Sequence, residues 1–160
     1  MHLVTSALAL VAISVAWTAP IARAAAPQRT AAAQRKPATP AGERSVWNGV
    51  GTEEQSQRGE RIYTDSCVTC HSADLTGSQI VPALVGDDFL NKWNSMTAGD
   101  LFEQIRQTMP QDGPGTLTPA QYADVLAFVL IKNKFPSGKS ELVPEFDVLK
   151  SIKIEPSKKP

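Results

Sequence analysis

Four segments of the chain carry apolar residues at the spacing of an amphipathic helix. One face of a helix collects positions i, i+3 and i+4, because about 3.6 residues complete each turn. The predicted helices begin near Thr52, Gly86, Thr97 and Thr118. Between them the chain shows neither the alternation of apolar and polar residues that is typical of strands nor a hairpin turn signal. The pattern therefore predicts an all-α fold in which short helices are joined by loops.

The first and last of these helices have the clearest signals. Thr52 can cap the first helix, and Gln55 would complete a capping box. Gly59 lies on the apolar face of that helix, where a second helix could approach closely. The last helix starts with Thr118 as cap and Pro119 at the first helical position, where proline is favoured. Its apolar face is formed by Tyr122, Val125, Leu126, Val129 and Leu130.

The N-terminal end has a different pattern. Residues Leu3 to Trp17 form a fifteen-residue apolar run, which is shorter than the roughly 20 residues that span a bilayer. The small-x-small sequence Ala22-Arg23-Ala24 follows. Together these features predict a secretory signal peptide over residues 1–24 and hence an exported, periplasmic protein. The alternative is an uncleaved anchor helix, and only in that case would the protein contact a membrane.

Composition divides the remaining chain into three parts. Residues 25–45 are rich in Ala and Pro without apolar periodicity, which predicts a disordered spacer. Residues 46–135 contain the four helices and are predicted to form the folded domain, while residues 136–160 are expected to be a surface tail. A domain of about 90 residues made of short helices has only a marginal core. An embedded apolar cofactor would supply the missing centre.

The balance of acidic and basic residues argues against a nucleic-acid partner. Lys and Arg total 16, and Asp and Glu also total 16. This balance gives no electrostatic reason to expect a nucleic-acid partner.

The segment DSCVTCHSADL contains the only two cysteines of the chain, Cys67 and Cys70, followed by His71. A thioredoxin-type dithiol would need strands that alternate with helices, and a structural zinc site would need four ligands. Cys-x-x-Cys-His is also the signature of c-type haem attachment. In that chemistry two thiols one helical turn apart add to the haem vinyl groups, and the imidazole turns towards the iron. The motif, in an exported helical chain, predicts one covalent haem c.

A second axial ligand must come from elsewhere in the chain. His2 would leave with the signal peptide, so the candidates are Met96, Met109 or a lysine. Met109 ends a predicted helix and opens a loop rich in Pro and Gly that can hold a thioether against iron. Met96 is expected to be ordinary core filling. Met109 is therefore the predicted ligand, and His/Met ligation leaves no open position on the iron, which suits electron transfer.

Other residues are expected to surround the haem. A ligating imidazole usually donates its second N–H to an acceptor, and Pro82 offers a carbonyl in a loop eleven residues after His71. Leu84 and Val85 beside it could cover the haem face. Trp93 is expected to fill the core, to donate its indole N–H to a haem propionate, or to do both.

These motifs resemble those of class I cytochrome c. The similar pieces are RGERIYTDSCVTCH, the proline loop VPAL, the segment TMP and the closing helix YADVLAFVL. The resemblance implies a cytochrome c fold, ligands His71 and Met109, thioether links at Cys67 and Cys70, and support of His71 by the Pro82 carbonyl. The chain departs from many relatives at Val81, where they carry glycine.

More narrowly, the stretch from PALVGDD to LAFVL and the tail EFDVLKSIKI are similar to cytochrome c domains associated with quinoprotein (PQQ-dependent) dehydrogenases. The expected function is that of an electron carrier rather than an enzyme. Its redox partners would be a dehydrogenase, a terminal oxidase or another cytochrome. The alternatives are an electron-transfer subunit of a quinoprotein dehydrogenase complex, and a haem enzyme or sensor with an open iron position.

Overall fold

The computed structural model describes residues 44–157. The predicted signal peptide and nearly all of the predicted spacer lie outside the described residues. The helices, in chain order, are α1 (Glu53–Ser66), α2 (Val68–His71), α3 (Asp87–Trp93), α4 (Ala98–Thr108), α5 (Pro119–Lys132) and α6 (Phe146–Lys150). A short 3-10 helix covers Val46–Asn48, and two strands, β1 (Arg44–Ser45) and β2 (Ile152–Lys153), complete the elements. The all-α architecture is confirmed, because each strand has only two residues.

Threonine side chains start three of the helices, as predicted. The Thr52 hydroxyl accepts the N–H of Gln55 at 3.1 Å, and Thr97 and Thr118 make complete capping boxes. Such caps satisfy N–H groups that have no partner within the helix. The prediction that Gln55 completes a capping box was wrong. The Gln55 side chain instead accepts from the N–H of Leu142 at 2.8 Å and donates to its carbonyl at 2.9 Å.

Helices α1 and α5 pack closely together at Gly59. A Cβ atom there would lie 2.6 Å from the carbonyl carbon of Asp124 and 2.8 Å from Cβ of Phe128. One turn later the rings of Tyr63 and Phe128 pack with centroids 5.2 Å apart. Arg58 adds a two-point ion pair with Asp124, at 3.0 and 2.9 Å. The close helix contact expected at Gly59 is therefore present.

The C-terminal segment is part of the core, which corrects the expectation of a surface tail. Leu149, Ile152 and Ile154 are at most 1% exposed. Helix α6 packs on α4, where a Cβ at Gly99 would lie 2.8 Å from the amide nitrogen of Lys150. Strand β2 pairs in parallel with β1, so the folded unit also begins two residues before the predicted boundary at 46. The apolar positions of this segment were noted in the sequence, but its partners are distant along the chain.

No helix within residues 44–157 is long and apolar enough to cross a membrane.

Candidate functional site

The Cys-x-x-Cys-His segment begins where α1 ends. Cys67 leaves the helical conformation, with φ −128° and ψ −30°, and α2 then makes a single turn. The Cys67 carbonyl accepts the N–H groups of Cys70 and His71, at 3.2 and 3.0 Å. Both thiols are free; Cys67 is half-buried and Cys70 is exposed. Burial raises the pKa of the Cys67 thiol to about 11, and the nearby Cys70 adds to that shift. The turn thus presents two unpaired thiols about one helical turn apart.

His71 is 6% exposed, and its position is set by a backbone carbonyl. Its Nδ1 lies 3.0 Å from the carbonyl oxygen of Pro82, the acceptor expected from the sequence. A carbonyl can only accept, so this contact places a proton on Nδ1, and in the neutral ring the lone pair is then on Nε2. The ring is therefore prepared to ligate a metal through Nε2.

Gly77 shapes the loop that carries this carbonyl. It adopts φ +69°, a region that favours glycine. Its N–H donates to the carbonyl of His71 at 3.0 Å. A Cβ atom at Gly77 would lie 2.8 Å from both the carbonyl carbon and the oxygen of Pro82. Sequence reasoning missed this residue, although a glycine in a loop six residues after His71 is a signal that could have found it.

Replacing Gly77 by Ala is expected to displace the Pro82 carbonyl and weaken its hydrogen bond with His71. We expect the haem-loaded protein to lose about 1–3 kcal/mol of unfolding free energy, the usual cost when a buried polar group loses its partner. Denaturant unfolding followed by absorbance measures the loss. Gly86→Ala is the matched control, because Gly86 also has positive φ (84°) but no atom lies within 4 Å of the position that its Cβ would take. Equal losses in both variants would refute a role of Gly77 beyond its backbone conformation.

Met109 and Met96 occupy different environments. Met109 follows the last residue of α4 in an extended conformation and is half-buried. Its N–H donates to the carbonyl of Ile105 at 2.8 Å, and its own carbonyl accepts from the Tyr122 hydroxyl at 2.8 Å. Met96 is 38% exposed, so the expected core filling at Met96 was wrong. Its backbone instead joins the C-terminal segment, because its carbonyl accepts the N–H of Ile154 at 2.8 Å.

Two buried tyrosine hydroxyls contact the backbone beside the predicted ligands. Tyr63 donates to the carbonyl of Ser72, directly after His71, at 2.6 Å. Burial raises the pKa of Tyr63 to about 12, so the hydroxyl keeps its proton at neutral pH. Tyr122 makes the corresponding contact with Met109. Sequence reasoning placed Tyr122 on an apolar helix face and missed both hydroxyl groups.

The residues expected to surround the haem contact or belong to the apolar core. Leu84 and Val85 are half-buried and pack against the apolar cluster. Asn133, which sequence reasoning missed, donates to the Leu84 carbonyl at 2.8 Å and accepts the N–H of Gly86 at 3.2 Å. Trp93 is 5% exposed and packs against Phe89 with ring centroids 6.3 Å apart. Its indole N–H makes no hydrogen bond to another residue of the described range.

The donor set fits a covalently attached haem. It offers two free thiols one turn apart, an imidazole whose Nε2 is available, and a methionine at the start of a loop. Residues 54–129, a little under half of the chain, match the family model described as cytochrome c oxidase, cbb3-type, subunit III. Together with the attachment motif, this match supports a mono-haem c-type cytochrome domain in these residues. Neither the curated proteins nor the solved structures include a significant match to the chain.

Covalent haem c decides between the competing interpretations of the cysteine pair. A c-type cytochrome domain binds haem c through covalent bonds, so the dithiol and zinc interpretations fall away. The all-α architecture is a cytochrome c fold. The match spans the attachment motif, Met109 and most of α5, but stops before the C-terminal segment. That segment shares the core of the domain through its buried Leu149, Ile152 and Ile154.

Proposed function

We propose that this protein is an exported electron carrier in which His71 and Met109 are the axial ligands of the haem iron. The observation that carries the proposal is the 3.0 Å contact between Nδ1 of His71 and the Pro82 carbonyl. The contact leaves Nε2 of His71 available for iron. His71 directly follows Cys70, the second of the only two cysteines in the chain. Met109 as second ligand would raise the reduction potential and leave no open position, as electron transfer requires.

Each residue of the site has a separate task in this proposal. When bound, the haem supplies one-electron chemistry at its iron. Cys67 and Cys70 hold it by thioether bonds, and Pro82 keeps the His71 ring in one orientation and one tautomer. Leu84 is proposed to cover the haem face, and the indole N–H of Trp93 is proposed to donate to a propionate.

Two kinds of redox partner are proposed. The similarity to cytochrome domains associated with quinoprotein dehydrogenases supports a dehydrogenase as donor, either as a transient partner or in one complex. The description of the matching family supports a terminal oxidase as acceptor. The equal numbers of acidic and basic residues favour a transient, weakly steered encounter. Purification of the native protein distinguishes a permanent subunit from a free carrier, because only the permanent subunit co-elutes with a dehydrogenase.

The absorption spectrum of the oxidised protein tests the ligand set. We expect a charge-transfer band from methionine sulfur to ferric iron, and haem that remains on the chain in a denaturing gel. A haem enzyme or sensor with an open iron position would lack the band and would bind imidazole or cyanide readily. That result would refute the electron-carrier proposal.

Export is tested at the N-terminus of the mature protein. Cleavage after residue 24 predicts a mature chain that starts at Ala25 and fractionates with the periplasm. An intact N-terminus in the membrane fraction would instead identify residues 3–17 as part of an anchor.

A further inference from the structure

One side-chain oxygen closes the loop that follows Met109. Tyr122 lies in the first turn of α5 and is 1% exposed. Its hydroxyl donates to the Met109 carbonyl at 2.8 Å and accepts the N–H of Gly115 at 3.0 Å. The two ends of the seven-residue loop 109–115 are therefore joined at a single buried atom.

Apart from the Met109 N–H, which donates to the Ile105 carbonyl of α4 at 2.8 Å, the remaining hydrogen bonds of this loop are local. The N–H of Gly113 donates to the Pro110 carbonyl at 3.0 Å, and the Thr116 hydroxyl donates to the Gly113 carbonyl at 2.7 Å. These local bonds shape the loop without fixing it to α5. Among residues 44–157, both hydrogen bonds that join this loop to α5 use the Tyr122 hydroxyl.

The ring of Tyr122 is itself firmly held. It belongs to the apolar cluster of α5, which is packed against α1 and α4. A buried phenol needs partners for its hydroxyl, and here the donor and an acceptor site are both used. Loss of the hydroxyl would leave a carbonyl and an N–H without their partner, and the loop would lose its attachment to α5.

We propose that Tyr122 is a positioning residue for the axial methionine, because its hydroxyl holds the 109–115 loop on α5 and so keeps the Met109 thioether at the iron. The inference rests on the proposed function, since it requires Met109 as ligand. Partners that orient metal ligands typically change metal affinity by about 10- to 100-fold when removed. Loosening of the loop would make the sulfur easier to displace.

Tyr63 provides a matched control on the other side of the ligand set. It is 2% exposed and also donates to a backbone carbonyl next to a predicted ligand, that of Ser72 at 2.6 Å. Tyr63→Phe removes a buried hydroxyl of the same kind. It leaves the 109–115 loop and its contacts with Tyr122 unchanged.

The test compares the haem-loaded wild type, Tyr122→Phe and Tyr63→Phe. The readouts are imidazole binding to the ferric protein and the methionine-sulfur charge-transfer band. Tyr122→Phe is expected to keep its covalent haem, bind imidazole at least about 10-fold more tightly, and show a weaker band. Tyr63→Phe is expected to stay within about twofold of the wild type, since its hydroxyl lies on the His71 side. Equal imidazole affinity in the two variants would overturn the inference.

The wild-type spectrum separates this inference from the proposed function. If the wild type lacks the charge-transfer band, Met109 ligation is refuted, and the role of Tyr122 with it. If the band is present and Tyr122→Phe leaves imidazole binding unchanged, only the role of Tyr122 is refuted. If Tyr122→Phe does not mature with haem, amide hydrogen exchange of the wild-type protein tests the role of Tyr122 instead. The Gly115 amide is expected to exchange much more slowly than that of Gln111 in the same loop, and equal rates would overturn the inference.

Discussion

Replacing Met109 by Ala is expected to leave the haem attached while lowering its reduction potential by on the order of 0.2 V, within the roughly 0.8 V that axial ligation spans. The reason is that the proposed thioether bonds at Cys67 and Cys70, and the contact of His71 with Pro82, do not involve Met109. Loss of the thioether removes a ligand that favours ferrous iron and opens a coordination position. Spectroelectrochemical titration measures the reduction potential, and titration with cyanide or imidazole measures ligand binding at the opened coordination position.

Met96→Ala is the control for this experiment. Met96 is 38% exposed, and its hydrogen bonds with Trp93 and Ile154 are made by its backbone. The substitution should therefore leave the potential, the charge-transfer band and the affinity for imidazole unchanged. An unchanged potential in Met109→Ala, or a large fall in Met96→Ala, would contradict the proposed ligand set.

Replacing Gly59 by Ala is expected to destabilise the haem-loaded protein by more than about 2 kcal/mol. In an exposed helix interior this change would stabilise by roughly 1 kcal/mol, because alanine has the higher helix propensity. At Gly59 the new Cβ would meet the carbonyl carbon of Asp124 at 2.6 Å. A backbone group cannot rotate away as a flexible side chain can, so the two helices must separate. The cost of overpacking, about 1–3 kcal/mol or more, then outweighs the gain in propensity.

Denaturant unfolding of the haem-loaded protein measures this loss. Separation of α1 and α5 would also loosen the contact of Tyr63 with Phe128 and the ion pair of Arg58 with Asp124. Gln57→Ala is the control, since Gln57 is exposed on the same helix, and its effect should be within about 0.5 kcal/mol. A Gly59→Ala protein as stable as the wild type would show that the contact between the helices adapts at little cost.

The amino-acid sequence by itself determined the local features of this protein. A capping threonine at 52, 97 or 118 contacts an amide three residues away, so helix starts can be read from short segments. The attachment motif is also local, because Cys67, Cys70 and His71 fall within little more than one turn. The proline carbonyl lies eleven residues from His71, within one loop, and its contact could be anticipated for the same reason.

Only the tertiary structure decided the contacts between residues that are far apart in the chain. Gln55 has the spacing of a capping-box residue, but its side chain bonds to Leu142, 87 residues later. The C-terminal segment has mixed polarity and no long helix, and its burial depends on β1 and on the groove beside Gly99 of α4. The spacing of Tyr122 marks an apolar face, whereas its hydroxyl reaches Met109 because the loop folds back onto α5. Helical periodicity shows which face is buried, but the partner of each buried polar atom depends on how distant segments pack.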